Sequence, residues 1–498
     1  MDRRAFLLGG VGVAAVAALQ LPRPGSVAAQ TTALVTSLSQ LQSAINSATA
    51  GTTITLANGS YAVNSAITIS GRNGTSAAPI VIQAETRGGV TLTGSQTFVF
   101  SNSSYVTISG LNFRQSVTLD LAANSSRLRL TRNDFQLASS VGHSVVVRGN
   151  DVKVDRNVFH DKSTAGCYLV VDGPSGDDVI AQRTYILRNH FRDHSFTGDN
   201  GGEPIRLGVS SRALADADAT VEYNLFERVN GDPEAISVKS SGSKIRYNTV
   251  RSSKGGIVLR HGNANRVESN YLLSGENGIR IYGNDHLIVN NYVGDVGSAG
   301  IVLGSGSERD HTPGESDTSR KGNDAPDRVT ITLNTLRNNN GAIAGESQRT
   351  VPPLSCKITD NLLVGSSGSL TDMPYQQGIT WSGNILWGAA SNGNIPTSGY
   401  TRADPKLTPG TDGIHRLSST SPAINAATIN HASEVTDDLD GQPRTAPYDV
   451  GADEYSTAQP VRRPLTPADV GPNATQPPPA ARPNLHPRHG LTSARGTA

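Results

Sequence analysis

An asparagine that recurs at near-regular intervals is the feature that most constrains the fold of this chain. Each one precedes an apolar residue at the end of a short alternating run, as in Arg132-Asn133-Asp134-Phe135 and Arg188-Asn189-His190-Phe191. The series is Asn112, Asn133, Asn157, Asn189, Asn224, Asn248, Asn270, Asn291, Asn334 and Asn361. The intervals are 21, 24, 32, 35, 24, 22, 21, 43 and 27 residues. Units of about two dozen residues that hold several short strands predict an all-β, single-domain parallel β-helix, a solenoid with stacked asparagines.

Helical repeats fit this pattern badly, because the runs at 245–247 and 329–333 alternate with a period of two. The longest intervals indicate insertions, and the polar segments 192–204 and 304–327 are expected to protrude. Residues 36–48 resemble a short amphipathic helix, which would cap the N-terminal end of the solenoid.

Both ends of the chain differ in composition from the repeats. Arg3 and Arg4 precede an apolar run that ends at Leu19, and small residues follow near Ala28. This pattern predicts a twin-arginine-type signal peptide over 1–29 and a secreted or periplasmic protein, because the run is shorter than the roughly 20 residues of a membrane span. Residues 30–456 would form the β-helix domain, and the Pro-rich residues 457–498 are predicted to be a disordered tail.

The bulk charge excludes some partners. A formal net charge of +1 gives no global field that would attract nucleic acid or an anionic membrane, so an acidic ligand needs a local cluster. The two cysteines, Cys167 and Cys356, have no metal-binding spacing, and we assign them no role. We expect a monomer.

A local cluster of basic residues that could bind an acidic ligand is predicted on four strands whose apolar residues alternate with basic ones. The outward basic residues are Arg206, Lys239, Arg260 and Arg280. The last three lie 9, 10 and 11 residues before the next ladder asparagine, so they are nearly in register. With strands about 4.8 Å apart, we expect one continuous cationic stripe. One outward cation is usually a solvated charge, but aligned cations repel one another and favour an anionic partner.

Oxygen donors are expected beside this stripe. Asp232 and Glu234 precede Lys239, and Asn200 lies one rung earlier. Two carboxylates and an amide oxygen suit Ca²⁺, although such residues near Gly and Pro often form turns only. The acidic segments 438–441 and 449–454 also resemble calcium loops and are interpreted as turns that close the last rungs.

At these residues the sequence resembles polysaccharide lyase family 6, which contains alginate lyases and chondroitinase B. The matching segments are 200–208, 234–240, 259–262 and 278–283. The resemblance implies a right-handed parallel β-helix, Lys239 as the base and Arg260 as the acid of a β-elimination. It further implies substrate contacts and calcium ligands, which are Arg206, His261, Arg280 and Tyr282 for the substrate and Asn200, Asp232 and Glu234 for calcium. The family commonly has Glu where Asp232 stands, and the shorter Asp side chain is expected to bind calcium more weakly or through water.

The implied activity is calcium-assisted cleavage of a uronic-acid polymer, with alginate favoured, that leaves 4,5-unsaturated ends. The alternatives are a dermatan sulfate or chondroitin B lyase, a uronan epimerase, a glycoside hydrolase that uses two carboxylates, and a non-catalytic carbohydrate-binding β-helix. The partner in each case is an anionic polysaccharide.

Overall fold

The computed structural model describes residues 32–137, 142–198 and 200–475, so the expected signal peptide lies outside the described residues. Short parallel strands stack into three long sheets, one strand of each sheet per rung. The first sheet comprises Thr32–Val35, Thr53–Leu56, Ile80–Ala84, Val106–Ser109, Arg129–Thr131, Lys153–Asp155, Tyr185–Leu187, Thr220–Glu222, Lys244–Arg246, Arg266–Glu268, Leu287–Val289, Thr330–Thr332, Cys356–Thr359 and Ile379–Ser382. The second comprises Leu119–Leu121, Val145–Val147, Leu169–Val171, Ile205–Gly208, Glu234–Lys239, Gly256–His261, Ile279–Ile281, Ile301–Leu303, Ile343–Gly345 and Thr371–Asp372.

The third sheet comprises Gly59–Ala62, Val90–Thr93, Leu111–Phe113, Asp134–Phe135, Val158–Phe159, His190–His194, Leu225–Val229, Thr249–Arg251, Tyr271–Leu273, Tyr292–Gly294, Thr335–Arg337, Leu362–Val364, Asn384–Trp387 and Tyr400–Arg402. The smaller pairs are Ile67–Ser70 with Phe98–Ser101, parallel, and Leu407–Pro409 with His415–Leu417, antiparallel. The α-helices are Leu38–Ser47 and Asp317–Lys321, and the 3₁₀ helices are Ser210–Arg212 and Thr397–Gly399. The predicted parallel β-helix is confirmed.

The asparagine ladder lies in the turn between the first and third sheets. Each side-chain amide donates to the Oδ1 of the asparagine one rung on, for example Asn133 to Asn157 at 3.1 Å and Asn361 to Asn384 at 3.0 Å. Asn112 is not part of it, because Leu111 holds the ladder position and Asn112 is a strand residue that pairs with Asp134. The sequence series was therefore wrong at its first member and omitted its last, Asn384.

The expected capping helix is confirmed. Leu38–Ser47 begins after Ser37, whose hydroxyl accepts a hydrogen bond from the Gln40 amide at 3.2 Å. Leu41 and Ile45 are buried on one face, four residues apart as the helical period requires. They cover the N-terminal end of a core in which phenylalanines from five successive rungs lie next to one another: Phe113, Phe135, Phe159, Phe191 and Phe226.

A C-terminal strap, residues 425–475, runs back along the solenoid over the ladder turn. It contacts the residues that precede the ladder asparagines in reverse order. The contacts are His431 with Asp360, Arg444 with Asn290, Arg462 with Tyr247, Asp469 with Arg188, and Pro472 with Arg132. The prediction of disorder from residue 457 is therefore wrong for 457–475, because their polar groups and Leu465 and Val470 pack on the solenoid. Residues 476–498 lie outside the described residues.

The insertion 304–327 does not protrude as expected. Its helix, Asp317–Lys321, packs against Ser210–Arg212 from an earlier rung. Arg320 is buried and forms ion pairs with Asp178 and Glu315. The insertion therefore folds back beside the second sheet, where the predicted site residues lie.

Candidate active site

A cavity of about 530 Å³ opens on the outer face of the second sheet. The predicted site residues that line it are Asn200, Asp232, Glu234, Lys239, Arg260, His261, Arg280 and Tyr282. Arg206 is not among the lining residues. One face of four neighbouring strands thus brings together nearly all of the residues that the sequence singled out.

The basic residues form two rows rather than the single stripe that we expected. Arg206 pairs with Ser237, which is followed in register by Val258 and then Arg280. Lys239 belongs to the second row, where a register shift after Val238 places it opposite His261. The stripe prediction is wrong because counting from the ladder cannot detect this shift, and because Ser237 and Val258 separate the two arginines of the first row.

The second row continues from Lys239 in both directions along the solenoid. On the earlier rung it meets Gly208, which has φ of 81° and approaches so closely that an added Cβ would lie 2.7 Å from the Lys239 carbonyl oxygen. On the later rung it pairs with His261, and the shift leaves Arg260 between the partners of Val238 and Lys239. Because Leu259 pairs with Ile281, Arg260 lies beside Tyr282. The Arg260 guanidinium lies 5.5 Å from the centroid of the Tyr282 ring.

Three carboxylates lie together on the two earlier rungs. Asp232 is buried, and burial together with the negative charges of Glu203 and Glu234 raises its pKa to about 6. Its oxygens accept hydrogen bonds from the Gly201 and Glu234 amides at 3.2 and 3.1 Å. Glu234 Oε2 is buried without a hydrogen-bond partner among the described residues. Repelling acids with an unsatisfied oxygen form a place where a cation would be stabilised.

The sequence reasoning missed Glu203. Its side chain is 2% exposed, and its Oε1 lies 3.5 Å from Lys239 Nζ. Ile205 pairs with Ile236 on the next rung. Two residues before each of these isoleucines is a glutamate, Glu203 on one rung and Glu234 on the next, so the two acids occupy equivalent positions. That alignment of two acids on neighbouring rungs was visible in the sequence and could have identified Glu203.

His261 is a neutral imidazole in this site. It is 4% exposed, and burial together with the positive charges of Arg260 and Lys239 lowers its pKa to about 3. Its Nδ1 has no hydrogen-bond partner among the described residues. A neutral ring can donate or accept a hydrogen bond but adds no charge to the cavity.

Arg260 is oriented by two residues besides its own strand. Its Nη1 donates to Oδ1 of Asn323, a buried residue of the insertion 304–327. Its guanidinium also contacts the Tyr282 ring. Among the described residues it forms no ion pair, so its charge remains available to an anionic ligand. The role of Asn323 had no sequence signal, because an insertion of this kind has no register.

Tyr282 contacts two residues that the sequence reasoning did not identify, Glu346 and Arg349. It is 2% exposed, and its hydroxyl lies 2.8 Å from Glu346 Oε2 and 3.0 Å from Oε1. Glu346 also lies 3.6 Å from Arg280 Nε and 3.1 Å from Arg349 Nη1. Arg349 lines the cavity from a loop two rungs beyond Tyr282. Tyr282 therefore supports the neighbouring arginines more than it faces the cavity.

Arg206 lies at the margin of this arrangement. It forms no ion pair with the described residues, and its Nε is buried without a partner among them. Burial and the nearby charge of Arg206 lower the pKa of His143 to about 4. Cys167 and Cys356 are buried free thiols.

A second acidic group, Asp438, Asp440 and Asp453, lies in and near the strap, with oxygens within 4.8 Å of one another. Here the carboxylates already have partners. Asp438 accepts from the Gln442 amide at 2.7 Å, Asp453 from the Leu417 amide at 2.7 Å, and Asp440 pairs with Arg416. These bonds support the interpretation of this region as closing turns.

The fold and the cavity define a parallel β-helix protein with a charged cleft on the outer face of one sheet. A family model for chondroitinase B matches residues 35–300, more than half of the chain, and a right-handed β-helix model matches 234–384. The chain belongs to this family, polysaccharide lyase family 6. No curated protein gives a significant sequence match.

Solved structures share the fold. The PL6 alginate lyase AlyGC is 24% identical with a TM-score of 0.69, over 88% of this chain and 60% of AlyGC. A mannuronic acid-specific family 6 lyase from human gut microbiota is 24% identical with a TM-score of 0.67, over 75% of this chain and 91% of its own. The PL6 polysaccharide lyase Pedsa3628 from Pseudopedobacter saltans is 25% identical with a TM-score of 0.61, over 75% and 98%. This chain thus spans about three fifths of AlyGC. Among the described residues, no helix is long and apolar enough to cross a bilayer.

Proposed function

We propose that this protein is a polysaccharide lyase that cleaves a uronic-acid polymer, with alginate as the favoured substrate, by β-elimination. The observation that carries the proposal is the placement of Lys239 and Arg260 in one cavity, between three clustered carboxylates and further arginines. Membership of polysaccharide lyase family 6 supports the reaction class. AlyGC, named as an alginate lyase, and the lyase named as mannuronic acid-specific favour the substrate.

Calcium is the proposed cofactor, and the residues present fit it. Asn200, Asp232 and Glu234 would hold the ion, and Glu203 offers a further oxygen. A cation bound between these acids fits two observations, the buried Glu234 Oε2 without a hydrogen-bond partner among the described residues and the raised pKa of Asp232. When bound, the ion would neutralise the substrate carboxylate and so make the neighbouring C5 proton more acidic.

Lys239 would remove that C5 proton through Nζ, which lies beside the carboxylates. The electrons of the C5–H bond form the C4–C5 double bond while the bond from C4 to the glycosidic oxygen breaks. Arg260 would donate a hydrogen bond or a proton to the departing oxygen, and Asn323 and Tyr282 hold its guanidinium for this purpose. Arg206, His261, Arg280 and Tyr282 are the proposed substrate-binding residues, Tyr282 acting through its neighbours.

The favoured alternative substrate is dermatan sulfate, because the matching family model is that of chondroitinase B. A glycoside hydrolase is disfavoured, since it needs two carboxylates on either side of the scissile bond, whereas these acids lie together on two rungs. We also propose that residues 1–29 are a twin-arginine-type signal and that the mature protein acts outside the cytoplasm.

The test is to incubate the purified protein with alginate and with dermatan sulfate, and to follow both chain length and ultraviolet absorbance. Elimination predicts shorter chains whose new ends absorb, because only this reaction creates a conjugated double bond. Shorter chains without absorbance would indicate hydrolysis, and unchanged chain length with binding would indicate an epimerase or a binding protein. Either result would contradict the proposal.

A further inference from the structure

The insertion 304–327 bridges the strands that carry the candidate active site. It leaves the solenoid after Ile301–Leu303, and its helix, Asp317–Lys321, pairs with Asp178 in the loop that follows Leu169–Val171. Leu169–Val171 lies five strand positions before Ile301–Leu303 in the second sheet, a span of about 24 Å at about 4.8 Å per strand. The four strands between them are those of the predicted basic residues, Arg206, Lys239, Arg260 and Arg280.

Segments from three different rungs meet at the carboxylate of Asp178. Its Oδ1 accepts hydrogen bonds from Arg320 Nη1 at 2.7 Å and from the Leu214 amide at 3.2 Å. Arg320 is 5% exposed and pairs with a second acid, Glu315 of the insertion itself. Because breaking a buried ion pair leaves an uncompensated charge, this arrangement strongly favours one position of the insertion helix. The Asp178–Arg320 pair therefore ties the insertion to two earlier rungs.

The end of the insertion that rejoins the solenoid is fixed separately. Asp324 accepts a hydrogen bond from the Asn284 side-chain amide at 3.0 Å. Asn323, which accepts the hydrogen bond of Arg260, lies between this contact and the helix that the ion pair holds. Loss of the ion pair is therefore expected to loosen the helix and the orientation of Asn323 without unfolding the insertion.

We propose that Asp178 and Arg320 are positioning residues whose ion pair keeps Asn323 against Arg260. Neither of the two side chains is among those that line the cavity, so they act through Asn323 and not on the substrate. The guanidinium of Arg260 forms no ion pair among the described residues, and its orientation depends on Asn323 and on the Tyr282 ring. The inference rests on the proposed lyase function, in which Arg260 assists the departing oxygen.

The first test compares Arg320→Met with the wild type on a polyuronate and measures kcat and KM separately. The kcat should fall about tenfold, because a displaced Arg260 meets the departing oxygen less well, while KM should change by less than about threefold. Arg462→Met is the matched control, since Arg462 is about as buried in its pair with Asp437 and lies under the strap. It should leave kcat unchanged. Asp178→Asn provides a second variant if Arg320→Met fails to fold.

A double-mutant cycle tests whether the ion pair acts through Asn323. In the Asn323→Ala background, Arg320→Met should lower kcat no further, because the contact that the ion pair maintains is already absent. Losses that multiply in the double variant, or a KM that rises while kcat is unchanged, would contradict the proposal and indicate an effect through Ser210. That residue lines the cavity and belongs to the segment against which the insertion helix packs.

Limited proteolysis reports on the insertion independently of catalysis. Lys321 is exposed at the end of the helix, and trypsin should cleave after it faster in Arg320→Met and Asp178→Asn than in the wild type. Unchanged cleavage or unchanged kcat in these folded variants overturns the inference, while unsaturated product from the wild type leaves the lyase proposal standing. If the wild type binds a hexauronate without forming unsaturated product, the lyase proposal fails, and the same cycle measured on the hexauronate Kd decides the positioning role.

Discussion

The ladder turn under the C-terminal strap and the outer face of the second sheet are two long surfaces of the same solenoid. They differ in how completely their charged side chains are paired within the chain. On the turn, charges are paired within the chain. Arg462 pairs with Asp437, Arg444 with Glu454, and His431 with Asp360. In the cavity the pairing is incomplete. Asp232, Glu234 and Arg260 form no ion pair among the described residues, and two arginines, Arg280 and Arg349, share the carboxylate of Glu346.

This difference separates a structural surface from a functional one. Buried charges that are paired hold the strap in place, whereas crowded acids and unmatched arginines in the cavity cost stability unless a ligand supplies the opposite charges. Calcium would balance the charges of Asp232 and Glu234, and the carboxylates of a polyuronate would balance the charge of Arg260 and its neighbouring arginines.

The sharpest way to test the comparison is to remove the proposed base. Lys239→Gln should lower kcat by about 10²–10⁴-fold, the usual contribution of a general base, in protein that is still folded. Lys244→Gln is the matched control, because Lys244 pairs with Asp218 on the first sheet, away from the cavity. Equal activity of Lys239→Gln and wild type in an absorbance assay would remove Lys239 from the mechanism.

Removal of the cation should have the next largest effect. A chelator should lower activity more than tenfold, and Glu234→Gln should raise the calcium concentration needed for half-maximal rate, because one of the proposed carboxylate ligands is removed. Asp453→Asn alters the second acidic group and should leave that concentration unchanged. If the calcium requirement changed in the Asp453 variant and not in the Glu234 variant, the functional ion would lie in the acidic group near the strap and not in the cavity.

Much of this could be predicted from the sequence, and the failures have physical causes. Strand periodicity and the 21-residue separation of Lys239 and Arg260 were sufficient to place both on one face of neighbouring rungs. The shift after Val238 was invisible because it involves no unusual residue. Glu203 was overlooked although its alignment with Glu234 was available.

The long-range contacts could not be predicted. Arg349 lines the cavity and Asn323 accepts a hydrogen bond from Arg260, both from segments that have no repeat register, so only the folded chain reveals them. Residues 457–475 of the strap were predicted to be disordered because their composition is rich in Pro and Arg. Arg462 nevertheless packs on Tyr247, which lies more than 200 positions earlier in the chain.

Substitutions that break ion pairs of the strap are expected to lower the stability of the protein without lowering its activity. Arg462→Met removes a buried partner of Asp437, a change that typically costs about 3–5 kcal/mol, and should lower the Tm and expose the strap to limited proteolysis. Arg463→Met is the matched control, because the Arg463 side chain is 50% exposed in its pair with Asp469 and such pairs contribute about 0–1 kcal/mol. Activity at 25 °C should be unchanged in both variants, and a selective loss in Arg462→Met would link the strap to the cavity.

The smallest expected effect is a pH-dependent one, at Asp453. Burial raises its pKa to about 7, and the charges of Asp438 and Asp440 add to this shift. Between its usual pKa of about 3.8 and 7 the folded protein binds the proton more tightly than the unfolded chain, so this group makes stability fall as pH rises through that window. Asp453→Asn should therefore raise the Tm by about 2–4 °C at pH 8, with a gain that shrinks toward pH 4. Thermal unfolding measured across this pH range checks the sign of the effect. If the increase in Tm were larger at pH 4 than at pH 8, Asp453 would be ionised in the folded protein and would stabilise the strap as a charged group.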